Sequence, residues 1–234
     1  MSICMRSLSA RMMQLASCSL SLSLIASFFL LFATDFFSAD LESVVAGLQK
    51  RYASVETVTG SFRQTFRAPG IDQVESGVFR MKKPCLMRWE YRQPEEKLFI
   101  TNGQNAYLYV PSDRQVTIQP FSTADMRDTP LELLLGQADI KKNYTASWET
   151  ALKPEVERTL LIRLIPRRHD SDFESLVLEI DQSTYDLRRI LMREAGGNTS
   201  EFLLTNVVTN AKVRNSDFQF KPPKGVETIH MGND

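Results

Sequence analysis

The residues of this 234-residue chain that chemistry would need are two histidines, three cysteines and a scatter of acids. His169 lies in Arg167-Arg168-His169-Asp170, a polar loop between apolar runs, and His230 stands four residues from the end. Neither has a second ligand at a zinc-binding spacing, and neither has a Ser or Cys beside it to activate. Both read as solvated side chains. Cys85 sits between Pro84 and Leu86 with no histidine close in sequence. A thiol becomes a nucleophile only beside a base or a positive charge, so Cys85 reads as a small buried or half-buried filler. Gly196-Gly197 marks a hairpin tip and lacks the surroundings of a phosphate loop. The acids alternate along strand-like runs and read as a solvated face, with Glu95-Glu96-Lys97 as a solvated turn. A pair of acids meeting in space to cleave a glycosidic bond is the enzymatic alternative. The expectation is no enzyme, no metal and no cofactor. Lys and Arg (28) equal Asp and Glu (28), which leaves no electrostatic case for nucleic acid.

What remains is binding by apolar faces, and the stretch Gly77 to Ile118 carries most of it. Phe79 and Met81 alternate with Arg80 and Lys82. Met87, Trp89 and Tyr91 alternate with Arg88, Glu90 and Arg92. Leu98 to Thr101 follows, then Ala106 to Val110, with Tyr107 and Tyr109 on one face and Leu108 and Val110 on the other. A period of two predicts strands with unlike faces, and Lys83-Pro84, Gln93-Pro94 and Asn102-Gly103 are turn signals between them. The result is an antiparallel meander with an aromatic face. Aromatics on strands fill cores more often than they line cavities, and periodicity alone does not separate the two.

The flanking elements must position that meander. Asp40 can cap a helix whose Leu41, Val44, Val45, Leu48 and Tyr52 form one stripe, ending near Ala53. Val58, Gly60, Phe62, Gln64 and Phe66 then share a strand face, and Gly60 predicts a bulge or a close backbone approach. Thr129-Pro130-Leu131-Glu132 opens a short helix with Thr129 as N-cap, Pro130 at its first position and Glu132 placed for a capping box; Gly136 stops it. Leu131, Leu133, Leu134 and Leu135 cover most of its circumference, so it is buried all round or covers something apolar. Strands follow at Thr159 to Ile165, Phe173 to Asp181, Leu187 to Glu194 and Glu201 to Val208, with Val226 to Ile229 closing the chain. The order is α+β and mostly β: one large antiparallel sheet with helices on one face, not a strand-helix alternation.

The N-terminus reads as an export signal. Arg6 and Arg11 precede an apolar run from Leu20 to Ala33, and Ser38-Ala39 offers a small residue for cleavage. The expectation is removal of residues 1–39, with a cut after Ala33 or an uncleaved anchor as the alternatives, leaving a single domain at 40–234. Leu15-Ala16-Ser17-Cys18 matches a lipoprotein processing box, but the apolar run follows the cysteine when it should precede it. Cys4 and Cys18 leave with the signal, so Cys85 has no internal disulfide partner.

Five motifs in order resemble one family, the periplasmic outer-membrane lipoprotein carrier proteins of the LolA type. They are Gly60-Ser61-Phe62-Arg63-Gln64; Gly77-Val78-Phe79 through Lys83-Pro84, Met87-Arg88-Trp89-Glu90-Tyr91 and Gln93-Pro94; Asn102-Gly103 with Tyr107-Leu108-Tyr109-Val110-Pro111; Thr129 to Leu134; and Phe218-x-Phe220-x-Pro222-Pro223-x-Gly225-Val226. The resemblance implies an incomplete barrel whose open apolar side is lidded by helices. It implies a carrier that takes acylated lipoproteins from an inner-membrane ATP-driven release complex and delivers them to an outer-membrane receptor, acting as a monomer. A lipid-binding or sensing protein of the same fold with another acylated cargo is the alternative. The acyl-binding residues expected from it are Phe62, Phe79, Met87, Trp89, Tyr91, Ile100, Tyr107 and Tyr109. The lid residues are Lys83, Leu131, Leu134 and Leu135. Family members commonly hold the lid with an arginine just before the meander proline; Lys83 stands there and should bond a lid carbonyl. Met87 replaces a frequent aromatic.

Overall fold

The computed structural model describes residues 40–126, 129–169 and 171–232. The expected export segment lies outside them. Helix α1 (Leu41–Ala53) starts where Asp40 accepts a hydrogen bond from the Ser43 amide at 3.2 Å, and it buries Val44, Val45, Leu48 and Tyr52. The apolar stripe read from the 3.6-residue period is the buried one. The meander then runs β1 (Thr57–Ala68), β2 (Ile71–Lys82), β3 (Leu86–Gln93), β4 (Lys97–Asn102), β5 (Asn105–Val110) and β6 (Gln115–Pro120). The Asn102 side chain accepts from the Gln104 and Asn105 amides at 3.0 and 2.9 Å, which closes the β4–β5 turn. Two short helices follow, α2 (Pro130–Leu134) and α3 (Ile140–Asn143), then β7 (Tyr144–Trp148), β8 (Thr159–Pro166), β9 (Phe173–Asp181), β10 (Leu187–Glu194) and β11 (Thr199–Thr209). A 3-10 turn (Asn215–Phe218) precedes β12 (Glu227–His230).

The strands form one twelve-stranded sheet in the order β12-β6-β5-β4-β3-β2-β1-β11-β10-β9-β8-β7. It does not close into a barrel: β12 and β7 are its edges. Pairing of β1 with β11 welds the meander to the second half, and β12 alone pairs in parallel, with β6. Gly60 marks a register shift between Thr59 and Ser61, and a Cβ there would lie 2.8 Å from the Phe79 ring. That is the bulge and close approach its position in a strand predicts.

The main core lies on the inner face, where α1 and α2 seat on the sheet. The outer face of β8 to β10 is not the solvated face that alternation predicts. Leu161, Val177 and Leu191 form a second small core there, and Glu179 is fully buried. Its carboxylate pairs with Arg189 at 2.7 Å and accepts from the Val156 amide at 2.6 Å and the Thr159 hydroxyl at 2.8 Å. Arg189 also reaches Glu155 at 3.2 Å, Glu201 at 3.4 Å and the Lys153 carbonyl at 3.3 Å. The segment between β7 and β8 folds back over this face, which a strand pattern does not announce. A buried carboxylate is tolerated because every lone pair is engaged.

Removing one partner leaves the other charge buried and unpaired. Glu179→Ala is therefore expected to lower stability by about 3–5 kcal/mol in urea unfolding. The double variant Glu179→Leu/Arg189→Met should recover much of that loss.

Candidate functional site

Strand register assembles an aromatic cluster on the inner face. Phe79 pairs across to Trp89, Trp89 to Phe99, and Phe62 to Gly77 and thence Tyr91. The Phe79 and Trp89 rings stack at 4.9 Å, while Phe62 meets Trp89 edge-on at 4.8 Å and Tyr91 at 5.0 Å. Phe202 on β11 adds a further edge contact to Trp89 at 5.7 Å. Each such pair stabilises by about 0.5–1.5 kcal/mol beyond its buried area. Met81 and Met87, paired on the same face, extend the apolar surface. Sequence reading placed Phe62, Phe79, Met87, Trp89 and Tyr91 together, and the structure brings all five to this face. It missed Met81, Phe99 and Phe202. Met81 carried the signal, two residues from Phe79 on the same strand; Phe99, flanked by Leu98 and Ile100, did not.

Toward the tip of the β1–β2 hairpin the face turns polar. The Tyr91 hydroxyl donates to Gln64 Oε1 at 3.0 Å. Lys97 pairs with Glu75 and lies 4.9 Å above the Tyr91 ring, and Gln73 also donates to Glu75, at 2.9 Å. Burial, and then the Glu75 charge, push the Tyr91 hydroxyl up to about 12, so it stays a donor. Lys97 begins β4 and faces inward, which corrects its reading as part of a solvated turn. Phe99, Phe121 and Leu131 are half-buried against the core, and Leu108, in register with Phe99, is exposed. The apolar face is thus open at this side.

Ile100, Tyr107 and Tyr109 do not join it. Ile100 pairs with Arg88 on one side and Tyr107 on the other, and Tyr109 pairs with Leu98, which puts all three on the outer face. Phe220 lies 5.6 Å from Tyr107 and 5.7 Å from Tyr109, Phe218 is fully buried, and Arg88 donates to the Asp217 carbonyl at 3.3 Å. The alternation along β5 is as read, but its phase relative to Trp89 is the reverse. These residues are packed under the C-terminal segment, which is their physical role.

Helix α2, the expected lid, buries Glu132, Leu133 and Leu134, with Leu135 fully buried behind it and Leu131 half-buried. Pro130 fits its first turn and Thr129 is its N-cap residue, but the expected box does not form. Both the Thr129 amide and hydroxyl turn back to the Met126 carbonyl, at 3.2 and 2.8 Å. Gly136 ends the helix at φ +61, and a Cβ there would stand 2.0 Å from the Tyr52 carbonyl. The end of α2 therefore rests directly on the last turn of α1.

Lys83 does not reach α2. Its ammonium donates to the Ala53 carbonyl at 3.2 Å, at the C-terminal end of α1, where the helix dipole and the unpaired carbonyls favour a cation. That end is held further by the Arg51–Asp186 ion pair at 2.8 Å and by the Leu187 amide donating to the Tyr52 hydroxyl at 3.1 Å. Burial pushes the Tyr52 hydroxyl up to about 12, with the Leu187 bond opposing. Lys83 thus holds the turn of α1 against which the end of α2 rests. Open clefts of about 280 and 290 Å³ border α1, one against Leu133, Gly136 and Ile140, the other against Tyr144, Ala146 and Arg167. Cys85 is buried and its thiol is pushed up, by burial first and then by Asp125, which disfavours the thiolate.

Comparison with known proteins places this geometry in context. A family model described as outer membrane lipoprotein carrier protein LolA matches residues 53–221. An outer-membrane lipoprotein carrier protein of Bordetella pertussis is 31% identical over 181 residues, 76% of this chain and 82% of that protein. One from Nitrosospira multiformis is 28% identical over 204 residues, covering 86% of this chain and 94% of that protein. Among solved structures, an uncharacterized conserved protein from Thermus thermophilus superposes with a TM-score of 0.50 at 10% identity, over 81% of this chain and 98% of that one. At that identity the likeness concerns the fold.

The Lys83 contact has a direct consequence. Lys83→Met should weaken the last turn of α1 by about 1 kcal/mol, raising amide exchange at residues 50–54 about fivefold, with a smaller rise at 130–136. Lys83→Arg should retain protection at both. A rise confined to 130–136 would mean that the lysine acts on α2 directly.

Proposed function

Because the chain belongs to the family of outer-membrane lipoprotein carrier proteins, we propose that it carries lipoproteins across the periplasm by sheltering their acyl chains on the inner face of its sheet. The observation that carries this reading is the continuous aromatic and methionine surface of Phe62, Phe79, Met81, Met87 and Trp89, which shares one apolar cluster with α1 and the leucines of α2. Each methylene taken from water gains about 0.8 kcal/mol, so a face of this size holds acyl chains without a covalent bond. Methionine side chains adapt to chains of different shape. Binding and release are the whole of the proposed activity, with no catalysis.

In the closed form Leu134 and Leu135 belong to the same apolar cluster as Met81 and Trp89. Cargo therefore enters as α2 and the adjoining part of α1 lift, and the open seams beside α1 ease that movement. Loading by an inner-membrane ATP-driven release complex and unloading to an outer-membrane receptor complete the proposed cycle, with the carrier a monomer throughout. Residues 1–39 are the proposed export signal, and residues 40–234 the carrier domain.

Periplasmic material should show a mature mass beginning at Asp40 and, before lipid extraction, an added acylated species. A mass that retains Met1 would refute the export proposal. Delipidated protein is expected to bind a triacylated cysteine lipopeptide one to one. In a Trp148→Phe background, where Trp89 is the remaining tryptophan, its emission should shift on binding. An interior that admits no acyl probe would reduce the cluster to ordinary core and end the carrier reading.

A further inference from the structure

In the aromatic cluster of Phe62, Phe79, Trp89 and Tyr91, one buried polar atom has no hydrogen-bond partner among the described residues. Trp89 is 3% exposed, and its Nε1, which can only donate, meets no acceptor among the described residues. Native structures leave few such groups unsatisfied, and each one calls for a reason. The ring is not free to turn away in search of an acceptor: Phe79 stacks on it while Phe62 and Phe202 meet it edge-on. The neighbouring polar groups are already engaged. Tyr91 is bonded to Gln64, and both Gln73 and Lys97 to Glu75. The indole N–H is the donor left over.

Its position along the face matters as much as its lack of a partner. On one side lie Met87 and Met81, continuous with the lid leucines. On the other, Tyr91 follows on the same face about 7 Å further along the strand, and beyond it come Gln64, Glu75 and Lys97. An acylated headgroup has the same order: hydrocarbon, then a carbonyl, then a polar glyceryl and peptide portion. We propose that the Trp89 indole N–H donates to an acyl carbonyl, ester or amide, of the bound cargo. The hydrocarbon then lies over Met87 and Met81, and the polar remainder leaves past Tyr91, Gln64 and Lys97. Trp89 is in this sense a specificity determinant: it sets how deep the chain sits and distinguishes an acyl group from a plain alkyl chain. The inference rests on the carrier reading, and it adds a carbonyl requirement that apolar burial alone does not contain.

The test pairs two lipids with two proteins. Dipalmitoylglycerol and its dihexadecyl ether analogue differ by the carbonyls, and Trp89→Phe removes the N–H while keeping an aromatic ring. Wild-type protein should bind the ester about five- to tenfold more tightly than the ether, and Trp89→Phe should bind the two equally. In ¹⁵N spectra of wild-type protein, the Trp89 indole proton should move downfield with the ester and not with the ether, with the Trp148 indole as the internal control. That measurement decides the matter if Trp89→Phe does not fold. Equal binding of ester and ether by wild type, or an unmoved Trp89 indole at saturation with ester, would overturn the carbonyl contact and leave the carrier reading standing. Binding of neither lipid nor of the triacylated lipopeptide would overturn both.

Discussion

The fold is governed by a mismatch between sheet and cover. Twelve strands present one long inner face, while the helices set against it are thirteen, five and four residues long. A sheet that buries a face against so little helix must fill much of the space with its own side chains. The stacked and edge-on rings of Phe62, Phe79, Trp89 and Phe202 do this. Everything else about the inner face depends on where α1 sits, because α2 leans on it through the Gly136–Tyr52 contact and is too short to be stable alone. The grip on the C-terminal end of α1 by Lys83, Asp186 and Leu187 therefore fixes where both cover and cluster sit.

The two faces of the second half divide the labour. Inward, Leu176, Leu178, Ile180, Ile190 and Leu204 complete the apolar core. Outward, Arg189 binds Glu179, Glu155 and Glu201, and the β7–β8 connection closes over them. A buried ion network of this kind adds little net stability but tolerates few alternative arrangements. The helix side is held differently, by apolar packing of Val44, Val45, Leu48 and Tyr52, with Lys83, the Arg51–Asp186 pair and the Leu187–Tyr52 bond at the end of α1.

Much of this was legible in the residues, and the failures have physical causes. The stripe of α1, the meander strands, the Gly60 bulge and the leucine helix follow from local periodicity and turn chemistry, which depend on neighbours in sequence. Phase between strands does not. Ile100, Tyr107 and Tyr109 alternate as read, but which face they share with Trp89 depends on pairing across hairpins and on Phe218 and Phe220 arriving from about 110 residues later in the chain. Burial of Glu179 depends on a loop folding back, and the partner of Lys83 depends on how α1 docks. Strand β7 escaped notice because Tyr144-Thr145-Ala146-Ser147-Trp148 has too few apolar residues to show a period. The parallel pairing of β12 likewise has no local signature.

Reversible transport follows from the way the empty state is closed. Much of the inner face is covered without cargo: Leu133, Leu134 and Leu135 and, from α1, Leu48 and Tyr52 share its core. Acyl chains must displace part of that packing, so the affinity is a difference between two burials and not the full hydrophobic gain of the chains. Methylene for methylene the exchange is nearly neutral, which keeps binding strong enough for solubility yet weak enough for release. What tips the exchange is then polar and small: on the closed side the lysine at the end of α1, and on the loaded side, under the proposal above, the Trp89 indole N–H meeting an acyl carbonyl. Terms of one hydrogen bond each can decide the balance because the large apolar terms cancel.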